Sequence, residues 1–517
     1  MKISCKETLF TYNVYHTVKA FFPEAEIEQR VDTGQEPLVK LDLDGGSCFC
    51  IMPADVRECA GTVEFVDARG DLRPGGTAGM REFGDTRGDA RPGGIARKEE
   101  AVCKKEAMQA QKREVTRLVY RFLSQMTGKE LAWGVLTGVR PTKLATQLVA
   151  REGSEERAVD VLRQDYAVAP SKARLAVEIA GREKALLAPL DVRHGFSLYV
   201  GIPFCPSICS YCSFGSSPLD LWKGQVDAYL DVLCKELSVV AAQMRGQRLN
   251  TVYVGGGTPT TLEPGQLERL LRQVDESFSF HMGAGGLLEY TVEAGRPDSI
   301  TREKLEVLRS HPVSRISINP QTMQQKTLDL VGRRHTVQDV RDGFHMARKQ
   351  GFDNINMDLI VGLPGERIED VRDTLRQVEE LGPDSLTVHS LAIKRAARMG
   401  QDGRVPDAGL QDEIEAMVEA GAVSASRMGL LPYYLYRQKD IAGNFENVGY
   451  AKVDKAGIYN ILIMEEVQTI VACGAGSISK RIYPDGNIRR CENVKNVSQY
   501  MERIDEMIGR KRELFRE

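Results

Sequence analysis

The chain has 517 residues, 42% of them apolar and 27% charged, with a formal net charge of -3. That length implies two or three globular domains, and so small a net charge gives no electrostatic argument for nucleic acid or membrane partners. No stretch approaches the roughly 20 apolar residues of a membrane helix, no signal peptide is apparent after Met1, and eleven scattered cysteines read as reduced thiols of a cytoplasmic protein, with metal ligation favoured over disulfides.

Residues 1 to about 60 read as short strands and turns, for example Leu38–Leu43 before Asp44-Gly45-Gly46. Cys48 and Cys50 fall on one strand face with Cys59 beyond, either an accessory metal pair or buried thiols. The segment from Asp67 to Gly76 returns almost unchanged from Asp85 to Gly94. This duplication is so poor in apolar residues that a disordered surface insertion over 61–100 is expected. A helix is expected from Lys98 to Met126 with Gly128 at its end, then the turn-rich Trp133–Lys143 and helices over Glu155–Gln164 and Lys172–Leu187. Together these form an α+β N-terminal domain, 1–185. From Ser197 short apolar strands alternate with amphipathic helices: Leu198–Ile202, Thr251–Val254, Glu289–Val292, Arg315–Ile318, Asn356–Ile360 and Leu386–His389. Such alternation implies an α/β fold, a parallel sheet covered by helices in a partial barrel of about six units over 186–400. Beyond Arg398 the pattern turns helical, then Gly-rich and mixed, and a C-terminal α/β extension over 401–517 is expected.

The chemistry concentrates directly after the first of those strands. Cys205, Cys209 and Cys212 form a Cys-x3-Cys-x2-Cys loop at a strand's carboxyl end, where parallel α/β folds build their sites. Iron–sulfur clusters are normally held by four cysteines. Three thiolates for four irons leave one iron open to chelation by an amino acid's amine and carboxylate. A zinc site is the alternative; it needs a fourth ligand, and His194 is the only nearby histidine.

This loop, with Tyr211 just before the last cysteine, resembles the signature of the radical S-adenosylmethionine superfamily. The resemblance implies a TIM-like partial (β/α)6 barrel, a [4Fe–4S] cluster on Cys205, Cys209 and Cys212, and cleavage of S-adenosylmethionine to a 5′-deoxyadenosyl radical. Gly255-Gly256-Gly257-Thr258-Pro259-Thr260 follows the second strand, where a Cβ would block close approach of backbone to ligand. In the superfamily this loop meets the methionine amino group. The resemblance assigns Glu293 and Arg333 to ribose and carboxylate contacts, and Tyr199, Phe204, Gly256, Gly257, Thr258, Gln321, Asp358, Gly362 and Ala392 to the cofactor pocket.

More narrowly, Tyr199-x-x-Ile202-Pro203-Phe204-Cys205, the glycine-rich turn and Asp358–Gly365 resemble the oxygen-independent coproporphyrinogen III oxidase family, over about Ser197 to Lys480. Leu136–Lys143, Leu431–Gln438 and Gly443–Asn447 are similar to its HemZ-type branch. The family chemistry is oxidative decarboxylation of two propionates of coproporphyrinogen III to vinyls, giving protoporphyrinogen IX in haem biosynthesis. It implies a tetrapyrrole substrate and a reductant such as flavodoxin or ferredoxin. Four substrate carboxylates call for cations, and Arg395 and Arg437 are the candidates. Two departures matter. Phe214 stands where the best-known oxidases carry a fourth cysteine, as an apolar residue does in the haem-chaperone relatives. Yet the chaperones' His-Asn-x-x-Tyr-Trp haem motif is here Glu446-Asn-Val-Gly-Tyr-Ala451. A haem chaperone without oxidase activity, or a radical enzyme acting on haem itself, are the alternatives.

Overall fold

The structure is a computed structural model that describes residues 1–22, 25–43, 48–57, 65–66, 72–73, 95–136, 138, 140–213, 215–278, 280, 282–283, 286–392, 411–437 and 445–516. The duplicated segment, apart from residues 72–73, and Arg395 lie outside these. The chain forms two compact units: Met1–Gly138 with Gln147–Arg174, and Val139–Thr146 with Leu175–Glu517.

The first unit is built on a four-stranded sheet of β1 (Lys2–Cys5), β2 (Glu28–Val31), β3 (Val39–Asp42) and β4 (Cys48–Ile51), in the order β2-β1-β3-β4. Alternation along β3 and β4 buries Val39, Leu41, Phe49 and Ile51 on one face. That face joins one core with Phe10, Val14 and Val18 of the helix Thr8–Phe21 and Val115, Leu118, Val119 and Leu123 of the helix Ile95–Thr127. Gly128 ends the long helix as expected: its φ is +69°, and its N–H donates to the Ser124 carbonyl at 2.8 Å. Cys48 and Cys50 share the opposite, solvent face of β4 with their sulfurs 3.7 Å apart, and Cys59 is outside the described residues.

The second unit is an α/β domain around one 11-stranded sheet. Its parallel heart is β5 (Gly195–Ile202), β6 (Arg248–Gly256), β7 (Glu289–Glu293), β8 (Arg315–Ser317), β9 (Ile355–Val361) and β10 (Ser385–Ser390), each hydrogen-bonded to the next. These six coincide with the strands expected from sequence and form the partial barrel. Five more follow: β11 (Leu431–Arg437), β12 (Glu446–Ala451), β13 (Thr469–Cys473), β14 (Ile478–Ile482) and β15 (Ile488–Glu492). The full order is β11-β12-β10-β9-β8-β7-β6-β5-β13-β14-β15. β13 is parallel to β5, while β12 and β14 run antiparallel to β10 and β13. The domain boundary expected at 400 falls outside the described residues, and the strands beyond it continue this same sheet.

The covering helices follow from their apolar stripes. Val226–Gln243 buries Val226, Tyr229, Leu230, Leu233, Leu237 and Val240, a recurrence of three and four residues that faces the sheet. The same helix buries one carboxylate, Glu236. It accepts from the Gly474 N–H (2.8 Å), the Asn493 amide (2.9 Å), the Tyr500 hydroxyl (2.7 Å) and the Lys511 ammonium (2.6 Å). Lys511, on the C-terminal helix Ile504–Phe515, is itself 1% exposed. The network therefore ties that helix, Tyr500 and the Gly474 turn to the barrel.

Lys511→Met strands a buried carboxylate and should cost about 3–5 kcal/mol, whereas adding Glu236→Gln should recover most of that loss. Denaturant midpoints of the single and double variants check this; a single variant as stable as the parent would show the carboxylate to be compensated otherwise.

Candidate active site

A cavity of about 740 Å³ opens at the carboxyl ends of the parallel strands. Parallel register places its wall. β5 and β6 align Tyr199 with Tyr253 and Ile202 with Gly256. Past the strand ends the ladder continues as the Gly257 N–H donates to Ile202 and the Thr258 N–H to Phe204, each at 2.7 Å. A Cβ on Gly257 would stand 2.5 Å from the Phe204 carbonyl oxygen, so only glycine permits this approach.

That contact sets the cysteine loop against the glycine turn. Cys205, Cys209 and Cys212 all border the cavity. Cys205 Sγ lies 3.5 Å from the Thr258 hydroxyl, and Cys212 Sγ 3.9 Å from that of Ser216. Burial, with Cys212 and Cys209 nearby, pushes the Cys205 thiol up, against the pull of the two hydroxyls. Cys209 faces two buried guanidiniums, Arg296 at 3.8 Å and Arg333 at 4.0 Å. Arg296 is held from behind by two bonds to Asp298 (2.9 and 2.8 Å) and from the side by Ser207. Phe204 does not reach the cavity. It is fully buried, edge-on to Tyr229, and anchors the loop from behind. Among the described residues no three His, Cys, Asp or Glu side chains close around a single ion.

The floor carries carboxylates among tyrosines. Tyr253 and Tyr459 stack at 4.5 Å, with Tyr199 at 6.2 Å from each. The Tyr253 hydroxyl makes a short hydrogen bond to Glu293. Burial, reinforced by Asp358, pushes the Glu293 carboxyl up to about 7 against the pull of Tyr253. Burial acts the same way on Asp358, but His389 and Asn356 outweigh it and hold that carboxyl below the ordinary range. His389 bridges Asp358 (3.9 Å) and the Tyr436 hydroxyl (3.2 Å). Gln321 sits in the left-handed region at φ +67°, pinned through its backbone to Asp358 and Ile360. Its Oε1, like Nε of Arg333, is buried without a partner, and both residues line the cavity.

Of the residues expected from sequence, the cavity gathers Tyr199, the three cysteines, Gly256, Gly257, Thr258, Glu293, Gln321, Arg333, Asp358 and Ala392. Gly362 lies behind it, against Ile414 and Leu391, at φ +80°. Arg437 is not among the lining residues. Along β11 side chains alternate, so Tyr434 and Tyr436 face the cavity while Arg437 is buried opposite Glu446, and burial lowers its pKa to about 10. Sequence reasoning missed Tyr253, Arg296, Arg315, His389, Tyr459 and Lys480, all of which line the cavity. Only Tyr253 had a signal, its in-phase alternation with Gly255.

A parallel six-strand barrel with three cysteines after its first strand defines a radical S-adenosylmethionine enzyme, and the model of the radical SAM superfamily matches residues 199–378. The chain is 40% identical over 405 residues to the oxygen-independent coproporphyrinogen-III oxidase-like protein HemZ of Bacillus subtilis, covering 78% of this chain and 80% of that one. It is 35% identical over 198 residues to the heme chaperone HemW of the same organism, spanning 38% of this chain and about half (51%) of the chaperone. Among solved structures it is similar in fold to coproporphyrinogen III oxidase HemN of Escherichia coli, with TM-score 0.50, 24% identity and coverage of 63% of this chain and 73% of the other. The chain belongs to the HemZ-type coproporphyrinogen III oxidase-like family of radical SAM proteins. With that family come a [4Fe–4S] cluster and S-adenosylmethionine. The donor set suits both: soft thiols for iron, and unpartnered buried Gln321 and Arg333 atoms beside a close-approach glycine turn for a polar ligand.

Glu293 gives the site a pH signature. Between its ordinary pKa of 4.5 and about 7 the folded protein keeps a proton that the unfolded chain has released. Its contribution to stability therefore falls as pH rises through that window, by on the order of 3 kcal/mol. In cofactor-free protein, urea midpoints at about pH 5 and about pH 8 should diverge less for Glu293→Gln than for the parent. Parallel pH dependences would mean that Glu293 titrates normally.

Proposed function

We propose that the protein is an oxygen-independent coproporphyrinogen III dehydrogenase, converting two propionates to vinyls to give protoporphyrinogen IX. The observation that carries the reading is 40% identity, spanning most of both chains, to a coproporphyrinogen-III oxidase-like protein. Cys205, Cys209 and Cys212 would hold the cluster. The glycine turn, Glu293, Gln321, Arg333 and Asp358 would seat S-adenosylmethionine, and Tyr434 and Tyr436 would offer the substrate an aromatic wall. When bound, the two cofactors would supply the radical chemistry for removing a hydrogen atom at the propionate β-carbon. Loss of carbon dioxide would then leave the alkene and one electron for an acceptor. A flavodoxin or ferredoxin would provide the reducing electron. Arg395 remains a candidate propionate contact outside the described residues; Arg437, away from the cavity, is withdrawn from that role.

The second reading, haem chaperone, has the HemW relatives in its favour. Against it, Glu446–Ala451, the counterpart of the chaperones' haem motif, is the wholly buried strand β12. There the Asn447 side chain accepts from the Ser390 N–H at 2.9 Å and is occupied within the sheet. Among the described residues no helix is long and apolar enough to cross a membrane.

Anaerobically reconstituted protein with coproporphyrinogen III, S-adenosylmethionine and a reductant should yield protoporphyrinogen IX, with about two S-adenosylmethionine molecules consumed per product, as family chemistry requires. Tight haem binding with no vinyl product would overturn the oxidase reading.

Arg296 should tune the cluster through Cys209, since nearby charge and hydrogen bonds to sulfur set cluster potentials. Arg296→Met should move the reduction potential to more negative values and Asp298→Asn to more positive ones, read by redox titration of the cluster's electron paramagnetic resonance signal. Unchanged potentials in both would remove Arg296 from this role.

A further inference from the structure

One end of the cavity carries more positive charge than its own carboxylates neutralise. Glu466 terminates the helix Ile458–Glu465 in a left-handed conformation, with a side chain only 7% exposed. Three cations close on it: Arg140 at 2.7 Å, Lys480 at 2.9 Å and Arg490 at 3.0 Å. Burial pushes the Glu466 carboxyl up, yet Arg140 and Lys480 outweigh it and hold it down to about 2. Two further acids, Glu465 and Glu183, stand behind it. Glu465 accepts from the Thr142 hydroxyl at 2.8 Å and is pushed up by burial, and Glu183 is pushed up to about 9 by burial and by Glu465.

Of the three cations only Lys480 lines the cavity. An ammonium has three N–H donors, and Glu466 takes one. The helix that Glu466 terminates and the strand that carries Lys480 also give the cavity three apolar side chains, Ile463, Met464 and Ile478, the last 40% exposed. An apolar wall with a surplus cation at its edge matches a flat apolar ring bearing an anionic arm.

We propose that Lys480, backed by Arg140 and Arg490 across Glu466, is a carboxylate subsite that fixes one propionate of a tetrapyrrole lying against Ile463, Met464 and Ile478. The ligand's identity rests on the tetrapyrrole reading; the subsite itself serves coproporphyrinogen and haem alike, because both carry propionates. Arg140 belongs to Leu136–Lys143, a segment whose sequence resembles the HemZ-type branch, and its segment Val139–Thr146 is part of the second unit. That motif thus supplies a charge to the substrate end of the cavity.

The test titrates cluster-loaded protein anaerobically with coproporphyrin III, its neutral tetramethyl ester and haem, following absorbance. Lys480→Gln should weaken coproporphyrin III by about tenfold or more and haem in the same sense, and leave the ester as it binds the parent. Lys480→Arg should restore most of the affinity, and Arg140→Gln, with its melting temperature checked, should show a smaller loss. If Lys480→Gln binds coproporphyrin III and haem like the parent, or loses the ester equally, the subsite is wrong and the functional reading stands. Binding of neither tetrapyrrole by the parent protein would overturn both.

Discussion

Everything at the cavity depends on the parallel register between β5 and β6. Hydrogen bonding pairs Tyr199 with Tyr253 and Ile202 with Gly256, and the next two amides carry that pairing into the cysteine loop. The distance from Cys205 to Thr258 and the stack of Tyr199 on Tyr253 are consequences of it, and the parallel pairing of β6 with β7 then brings Tyr253 to Glu293. A slip of one residue would turn each of these side chains to the other face of the sheet. The fit at Gly257, with no room for a Cβ, locks the register where the chain leaves the strands.

Charge is graded across the site. Around Cys209 the buried groups are cationic, Arg296 and Arg333, which suits a place where thiolates gather. At the floor the buried groups are carboxylates, and they are held in different states. Glu293 sits among tyrosines and is driven towards neutrality, whereas Asp358 keeps its charge through His389 and Asn356. One environment yields a carboxyl poised near neutral pH, the other a fixed anion, from acids on neighbouring parts of one sheet. Beyond them the Gly474 turn offers no anion nest. Gly474, Ala475, Gly476 and Ser477 already donate their N–H groups to Glu236, Tyr229, Val494 and Gly474 respectively.

The six central strands were legible in the sequence because strands buried on both faces read as apolar runs, and the helices between them show three- and four-residue recurrence. The cysteine loop was legible from spacing alone. What escaped depends on pairing between distant segments. Thr469–Cys473 is too short to announce that it lies parallel to β5. Lys511 stands in the run Arg510-Lys511-Arg512, which reads as a solvated helix face, yet it is buried against Glu236. Arg296 and Lys480 acquire meaning only once the loops around them are placed. Arg437 is the opposite case: its guanidinium suits a carboxylate, but the two-residue period of β11 turns it away from the cavity.

The position of β13 bears on how the chain is made. β5, the strand that precedes the cysteines, has β6 on one side soon after it in the chain, but its other edge is closed only by Thr469–Cys473, so that Phe196 pairs with Thr469. During synthesis the barrel's first strand therefore emerges with one flank open, and it stays open until nearly the whole second unit has been translated. Such long-range parallel closure is slow, and an open strand edge invites pairing with other chains. Nascent chains stalled before β13 should thus be the ones that depend on chaperones, and the cysteine loop stays on an unfinished sheet until that late strand arrives.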